Sequence, residues 1–328
     1  MARKREKKFR WRTRRCVHRF ENETQRVMGM KESLEGLTTE RENEKSLGLD
    51  EMTPLEIVTL MNAEDQTVAQ AVNRVLPAIA EAVEAIVASF KAGGRLIYVG
   101  AGTSGRLGVL DASELPPTFG VDPGLAVALL AGGKEAMFQA KEGAEDDAGA
   151  GERDLGSLGL EERDAVVGIS ASGRTPYVIG ALQYAKGVGA RTIALACNRP
   201  SRMGSIADVA IEVETGPEVL TGSTRLKAGT AQKMVLNMLS TAAMVRMGKT
   251  YKNLMVDLRP TNEKLVNRAC RILMKATGAS YEEAERALKA ADDQVKVALV
   301  MIRTGATAEE ARARLAAADG FVGKAVKG

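Results

Sequence analysis

Short apolar runs alternate with helical patterns through the middle of the chain. Five runs predict strands, at Arg95–Val99, Leu125–Leu130, Ala165–Ile169, Thr192–Ala196 and Ala210–Val213. The stretches between them predict helices at Arg106–Ala112, Lys134–Gly149 and Tyr177–Gly187. Short apolar strands that alternate with helices are typical of a parallel sheet covered on both faces, so the pattern predicts an α/β fold with a five-stranded parallel sheet.

Helical spacing marks both flanks of this region. Apolar residues recur at helical spacing over Thr67–Lys91, a long apolar helix is predicted over Thr224–Met247, and the polar stretch Thr39–Leu60 is predicted to be a lead-in. From Thr261 the sequence becomes rich in Ala, Glu and Arg. It predicts a small all-α region with helices at Glu263–Thr277, Ser280–Ala290 and Gln294–Arg303 and a last turn near Ala308–Ala317. Ser280 and Glu283 form a capping-box pattern.

The positive charge is concentrated at the N-terminus. Residues 1–29 carry eleven Lys/Arg against three Asp/Glu, so the net charge of +4 leaves −4 for residues 30–328. A mildly acidic body gives no support for nucleic-acid binding. We interpret residues 1–29 as a solvated, disordered extension; a nucleic-acid or membrane-surface arm and an organelle import signal are the alternatives. The sequence therefore predicts three parts: a basic tail at 1–29, an α/β domain at 30–250 and a helical domain at 251–328.

Several classes of protein and site are disfavoured by what the chain lacks. No apolar run approaches the roughly 18 residues needed to span a membrane. Cys16, Cys197 and Cys270 are scattered and odd in number, which predicts neither a disulfide framework nor a metal cluster and favours a reducing, cytoplasmic location. The only histidine, His18, lies in the tail. Acid–base chemistry in the body must therefore use carboxylates, Lys or Tyr, and most zinc sites are excluded.

A glycine-rich loop follows the first predicted strand. Gly100, Gly102 and Gly105 form the pattern G-x-G-x-x-G, and Thr103 and Ser104 add hydroxyl donors at a helix N-terminus. Dinucleotide-binding folds need an acidic residue at the end of the second strand, whereas this strand ends in Ala-Gly-Gly. The loop therefore favours a smaller anion over a dinucleotide.

Two more loops rich in Ser and Thr open predicted helices. The second contributes Ser170, Ser172, Gly173 and Thr175, and the third, Gly222–Lys227, contributes Ser223 and Lys227. Any one of these loops could simply cap a helix. Three of them at the carboxyl ends of strands favour a compact phosphomonoester as the ligand.

Two glutamates are candidates for acid–base chemistry. Glu114 comes just after the helix that follows the first loop, and the apolar, proline-containing segment after it is expected to hold and desolvate it. Glu145 is predicted on the helix after the second strand. Either could be an ordinary surface acid. Two carboxylates with separated pKa values are nevertheless a known source of one acid and one base.

Four stretches resemble the N-acetylmuramic acid 6-phosphate etherases. They are Leu96–Gly120 (LIYVGAGTSGRLGVLDASELPPTFG), Ile169–Val178 (ISASGRTPYV), Thr221–Ser240 (TGSTRLKAGTAQKMVLNMLS) and Asn253–Lys264 (NLMVDLRPTNEK). The similarity extends from about residue 40 to the C-terminus. Leu115, where the family more often has Cys, and the basic tail depart from the family pattern.

The resemblance implies a sugar-isomerase (SIS) fold with a helical C-terminal domain, usually as a homodimer. It implies a lyase that removes D-lactate from the sugar phosphate and hydrates the product, without a metal or an organic cofactor. Glu114 matches the acid that protonates the departing lactate, and Glu145 matches the second catalytic carboxylate. A sugar-phosphate isomerase and a non-catalytic sugar-phosphate sensor on the same fold are the alternatives.

Overall fold

The computed structural model describes residues 36–258 and 262–327. The predicted basic tail, 1–29, lies outside the described residues. Five parallel strands form one sheet: β1 (Leu96–Gly100), β2 (Ala126–Leu130), β3 (Ala165–Ser170), β4 (Arg191–Ala196) and β5 (Val209–Glu212). Their order is β2-β1-β3-β4-β5, and each neighbouring pair is parallel. All five predicted strands are confirmed to within one residue.

Helices cover both faces of the sheet, as predicted. They are α1 (Pro54–Asn73), α2 (Leu76–Lys91), α3 (Gly102–Phe119), α4 (Ala148–Ser157), α5 (Pro176–Val188) and α6 (Lys227–Arg246). One hydrophobic cluster joins α1, α2 and α6 to one face, where Tyr98 and Val167 point, and a second joins α4 and α5 to the other, where Ile97 and Val166 point. Successive strand residues are thus buried on opposite faces, which explains the continuous apolar runs.

The prediction of one helix over Thr67–Lys91 behind a polar lead-in is wrong. The lead-in forms short 3-10 turns at 38–40, 44–46 and 49–51, and α1 begins at Pro54. Thr53 and Glu56 form a capping box at this start. A second helix, α2, begins at Leu76 with a proline in its first turn, and a proline there has no N–H for a continuing helix to use.

The predicted helix Lys134–Gly149 is also wrong. The segment forms a 3-10 turn at Lys134–Met137 and then irregular turns, and α4 begins only at Ala148. Gly133 and Gly143 have φ angles of 75° and 72°, which interrupt a right-handed helix. Asp147 caps α4 by accepting a hydrogen bond from Ala150 N at 3.0 Å.

Glycines allow α4 and α5 to approach each other closely. A Cβ atom added at Gly180 of α5 would lie 2.0 Å from Ala148 O. We expect Gly180→Ala to lower the free energy of unfolding by about 1–3 kcal/mol or more, because the helices must separate. Gly187→Ala is the control, since a Cβ there meets nothing within 4 Å. Urea unfolding of both variants measures the effect, and equal stabilities would contradict the close-packing explanation.

The C-terminal part has its own hydrophobic cluster. A two-residue hairpin, β6 (Thr250–Tyr251) and β7 (Leu254–Met255), precedes α7 (Glu263–Thr277), α8 (Tyr281–Ala290), α9 (Val295–Thr304), α10 (Ala308–Ala317) and α11 (Val322–Lys327). The first three helices are confirmed to within one residue, as is the capping box of Ser280 and Glu283. The predicted last turn is a ten-residue helix, and α11 was not predicted.

Candidate functional site

The strand order creates a crevice at one edge of the sheet. In an order of 2-1-3-4-5, the direction of the connections reverses between β1 and β3, and ligands bind outside the carboxyl ends of the strands there. Gly100 ends β1 beside Ile169 of β3. The first and second predicted loops therefore leave the sheet side by side.

In the first loop, only Gly102 faces solvent. It begins α3 with a φ of 52°, and an added Cβ there would meet no atom within 4 Å. Gly105 instead packs against β1, since its Cβ would lie 2.6 Å from Gly100 O. Thr103 is half-buried against α6, 3.6 Å from the position of a Cβ at Gly229. The glycine pattern thus mainly serves close packing of helix on strand, and the exposed helix start is left at Gly102.

Ser104 links the first turn of α3 to α6. It is buried, and its Oγ donates a hydrogen bond to Oε1 of Gln232 on α6 at 2.9 Å. The sequence analysis missed Gln232, because nothing in the local pattern of α6 distinguishes it from other polar residues of that helix.

The second loop forms a cluster of hydroxyl groups. Ser170 Oγ lies 2.7 Å from Thr175 Oγ1 and 3.2 Å from Ser172 Oγ, and it accepts a hydrogen bond from Gly173 N. Thr175 occupies the N-cap position of α5, but its side chain bonds to Ser170 and does not cap the helix. Gly173 has a φ of 71° and approaches Ser201 so closely that a Cβ would lie 2.5 Å from Ser201 Cβ. The structure brings these four predicted residues together.

The third loop differs from the prediction. Glu218 is fully buried and accepts hydrogen bonds from Lys227 N and Ala228 N at 2.8 and 2.9 Å, so it occupies the helix start that was assigned to phosphate. Burial raises the pKa of Glu218, although these two amides act in the opposite direction. Lys227 Nζ is buried and paired with Glu64 Oε2 at 2.7 Å, so its charge is engaged within the protein. Ser223 is half-buried in this loop.

Glu145 lies on a turn and not on the predicted helix. Its backbone carbonyl accepts a hydrogen bond from Tyr177 N at 3.0 Å, which ties the turn to the start of α5. Its side chain is exposed, and the residue lines a cavity of about 160 Å³ together with Gly102, Arg106 and Lys141. Arg106 donates to the carbonyls of Ala136 and Met137 and so fixes the same segment. Glu145 therefore belongs to the crevice of the first and second loops.

Glu114 is not near this crevice in the same chain. It lies within α3, which continues through Pro116 and Pro117 to Phe119, and not after the helix as predicted. Twelve residues at 1.5 Å each place it about 18 Å along the helix axis from Gly102. Its side chain is exposed, so the expected desolvation by the following segment is wrong for the single chain.

Other features of the described chain lie apart from the crevice. A cavity of about 700 Å³ runs along α7 and contains none of the predicted site residues. Among residues 36–258 and 262–327, no three His, Cys, Asp or Glu side chains are grouped so that they could hold a metal ion. None of the helices in these ranges is long and apolar enough to cross a membrane.

Three family models match parts of the chain. The N-terminal SIS domain of glucokinase regulatory protein matches residues 78–186, and the SIS domain matches residues 149–242. The C-terminal lid domain of glucokinase regulatory protein matches residues 252–292. Together with the five-stranded parallel sheet, these matches confirm the SIS fold with additional C-terminal helices.

Proteins named N-acetylmuramic acid 6-phosphate etherase are similar to most of the chain. The protein of Halalkalibacterium halodurans is 60% identical over 293 residues, which cover 89% of this chain and 98% of that protein. The protein of Serratia proteamaculans is 59% identical over 270 residues, which cover 82% of this chain and 91% of that protein. Among solved structures, a phosphoheptose isomerase from Francisella tularensis is 20% identical with a TM-score of 0.47, covering 59% of this chain and 100% of that chain. On the identity and coverage of the first two relatives, the chain belongs to the N-acetylmuramic acid 6-phosphate etherase family.

Proposed function

We propose that the chain cleaves the D-lactyl ether of N-acetylmuramic acid 6-phosphate and hydrates the product, giving N-acetylglucosamine 6-phosphate and D-lactate. The observation that carries this proposal is the crevice between β1 and β3, where a hydroxyl cluster, an exposed helix start and Glu145 meet. Such a crevice suits a phosphate at one end and proton transfer at the other. Relatives named for this reaction support the choice of substrate.

The reaction needs a base and an acid. In the open-chain sugar the proton on C2 is acidified only by the adjacent aldehyde, so a base must be positioned to remove it. The lactate oxygen on C3 is a poor leaving group, so an acid must protonate it as the bond breaks. We assign the base to Glu145, which lines the crevice, and the acid to Glu114. Both are exposed carboxylates in the single chain.

Glu114 is supplied by a second copy in this proposal. The phosphate on C6 and the ether on C3 of one sugar are only a few bonds apart, whereas Glu114 lies about 18 Å from the start of its own helix. When two copies cross about the middle of α3 in a two-fold dimer, the end of one helix lies beside the start of the other. The exposed face of α3 carries Leu110, which is 50% exposed in the single chain and would be covered in such a homodimer.

The phosphate is held by the first two loops. Gly102 offers the backbone N–H groups of a helix start, and Ser170, Ser172 and Thr175 offer hydroxyl donors at the end of β3. Thr103, Ser104, Gly173 and Ser223 complete the set of proposed substrate contacts. The earlier assignment of Lys227 has no support from its side chain, which is paired with Glu64.

We expect Ser172→Ala to raise KM for the sugar phosphate about ten- to hundredfold with little change in kcat. Charge-assisted hydrogen bonds to phosphate are worth about 1.5–3 kcal/mol, and this contact is the same in substrate and transition state. Steady-state kinetics of lactate release measure the effect. Ser157→Ala is the control, since that exposed hydroxyl at the end of α4 donates to Asp154 O within its own helix. An unchanged KM in Ser172→Ala would remove this residue from the phosphate site.

The function is tested by incubating the protein with N-acetylmuramic acid 6-phosphate and assaying D-lactate. Release of D-lactate is the expected result. Interconversion of aldose and ketose phosphates without lactate would instead indicate an isomerase. Binding of the sugar phosphate without turnover would indicate a sensor.

Two further assignments belong to this proposal. We place the enzyme in the cytoplasm, which is consistent with the free, buried thiols of Cys197 and Cys270. We also divide the chain into a tail at 1–29, a catalytic SIS domain at 30–250 and a helical domain at 251–328. The separate hydrophobic cluster of the C-terminal helices supports the last boundary.

A further inference from the structure

The amide nitrogen of Gln232 is a buried donor without a partner among the described residues. Gln232 is 1% exposed, and its Oε1 accepts the hydrogen bond from Ser104, but its Nε2 makes none. A buried amide nitrogen that makes no hydrogen bond is costly and rare. The position of this one therefore needs an explanation.

The amide lies directly behind the first turn of α3. Ser104 is the third residue of this helix, whose exposed start at Gly102 faces the crevice. The first turn of α6 packs against the same turn, since a Cβ at Gly229 would lie 3.6 Å from Thr103 Cγ2. Gln232 is thus in contact with the loop that we assign to phosphate, on the side away from solvent.

The hydrogen bond seen in the structure leaves Ser104 unsuited to an anion. A hydroxyl group has one hydrogen and two lone pairs, and here the hydrogen is directed to Gln232 Oε1. Only lone pairs remain for a ligand. A half-turn of the amide exchanges its oxygen and nitrogen, which have nearly the same shape. Nε2 then donates to Ser104 Oγ, and the hydroxyl hydrogen is released.

We propose that Gln232 is a positioning residue of the phosphate site, and that its amide turns when a phosphate binds so that Ser104 can donate to a phosphate oxygen. Each arrangement leaves one amide atom without a partner, so the two differ little in their internal hydrogen bonds. Bound phosphate favours the arrangement in which Nε2 donates to Ser104, because Ser104 then gains a charge-assisted hydrogen bond to the phosphate. This inference relies on the proposed function only for the identity of the sugar phosphate, and inorganic phosphate tests it separately.

The test is a phosphorus NMR titration of the whole protein with inorganic phosphate. We expect Ser104→Ala to weaken phosphate binding about tenfold, the effect of one lost charge-assisted hydrogen bond. We expect Gln232→Glu to weaken it at least about tenfold, because a carboxylate can only accept and holds the hydroxyl hydrogen. Gln232→Met has a similar length but neither donates to Ser104 nor accepts its hydrogen, so the loss of phosphate affinity is expected to be about three- to fivefold, smaller than in Gln232→Glu.

Double variants separate this role from charge and from packing. When Gln232→Glu is added to Ser104→Ala, there is no hydroxyl to hold, so any further loss of phosphate affinity measures the added charge alone. This loss is expected to be smaller than the loss that Gln232→Glu causes in the wild type. A purely structural role would make Gln232→Met and Gln232→Glu weaken phosphate binding alike, and either that result or full additivity with Ser104→Ala would overturn the proposal. KM for the sugar phosphate should follow the phosphate affinities while kcat is retained. If the wild type released no lactate, the proposed function would fail, and the titration would still decide the role of Gln232.

Discussion

Mixing two inactive variants, Glu114→Gln and Glu145→Gln, should restore lactate release to about one quarter of the wild-type rate. Each variant alone is expected to lose about 10²–10⁴ in rate, the usual contribution of an acid or base. If Glu114 acts in the site of a second copy, one of the two sites in a mixed dimer has both glutamates intact. Random exchange makes half of the dimers mixed, so a quarter of all sites are active.

The same variants separate the two proton transfers. In Glu114→Gln the base is untouched, so exchange of the C2 proton with deuterium from the solvent is expected to continue while lactate release stops. In Glu145→Gln, exchange of the C2 proton and lactate release are both expected to stop. A mixture that stays inactive, although subunit exchange is demonstrated by tagged copies, would contradict a Glu114 supplied in trans. Near-normal lactate release in Glu114→Gln would contradict its assignment as the acid.

Lys227→Met is expected to destabilise the protein by about 3–5 kcal/mol, because it leaves the buried carboxylate of Glu64 with one fewer cation. Lys227 Nζ and Glu64 Oε2 are 2.7 Å apart, and both side chains are buried. The remaining partner, Lys45, is largely exposed and screened by solvent. Urea unfolding measures the loss, and Lys233→Met, on the exposed side of the same helix, is expected to change stability by no more than about 0.5 kcal/mol. Equal stabilities of the two variants would show that the pair does not support the fold.

The hydrogen bonds that Glu64 accepts also predict how the stability of the protein depends on pH. Burial by itself would raise the pKa of Glu64, but hydrogen bonds from Lys227, Lys45 and Asn43 outweigh it and bring the pKa to about 2. Because the folded pKa is below the unfolded value of 4.5, the stabilisation is complete above the unfolded value and is lost as pH falls toward 2. The stability difference between wild type and Glu64→Gln should therefore shrink between pH 5 and pH 2.5. A constant difference would contradict the lowered pKa.

Local sequence patterns predicted the strands and the C-terminal helices because these elements depend on neighbouring residues. Short apolar runs of strand length identified all five strands, and the runs of β1 and β3 are buried on both faces. Capping residues close to the helix start, as at Ser280 and Glu283, are equally local signals. The prediction failed at the C-terminal end of α3: it ended this helix at Ala112, before Pro116 and Pro117, whereas the helix continues to Phe119. Burial of Leu115 and Phe119 on one side of this helix favours its continuation past the prolines.

The candidate site was only partly predictable. Sequence position indicated the loops after β1 and β3, because parallel strands bring their carboxyl ends to one edge. It could not indicate that Ser104 bonds to Gln232, 128 residues away, or that Lys227 pairs with Glu64, 163 residues away. Such long-range contacts produce no periodic pattern in the sequence of either segment. The sequence therefore cannot distinguish a polar residue at a helix start that binds a ligand from one that bonds to another buried residue.

The distance between Glu114 and Glu145 was decided by the tertiary structure alone. The sequence by itself determined that acid–base chemistry in the body falls to carboxylates, Lys or Tyr, since the only histidine is in the tail, and the resemblance to the family singled out Glu114 and Glu145. Whether they meet depends on the length and direction of α3, which carries Glu114 away from the crevice, and on the turn that ties Glu145 to α5. A helix rises 1.5 Å for each residue whatever its sequence, so twelve helical residues separate two groups by a distance that no side chain can span.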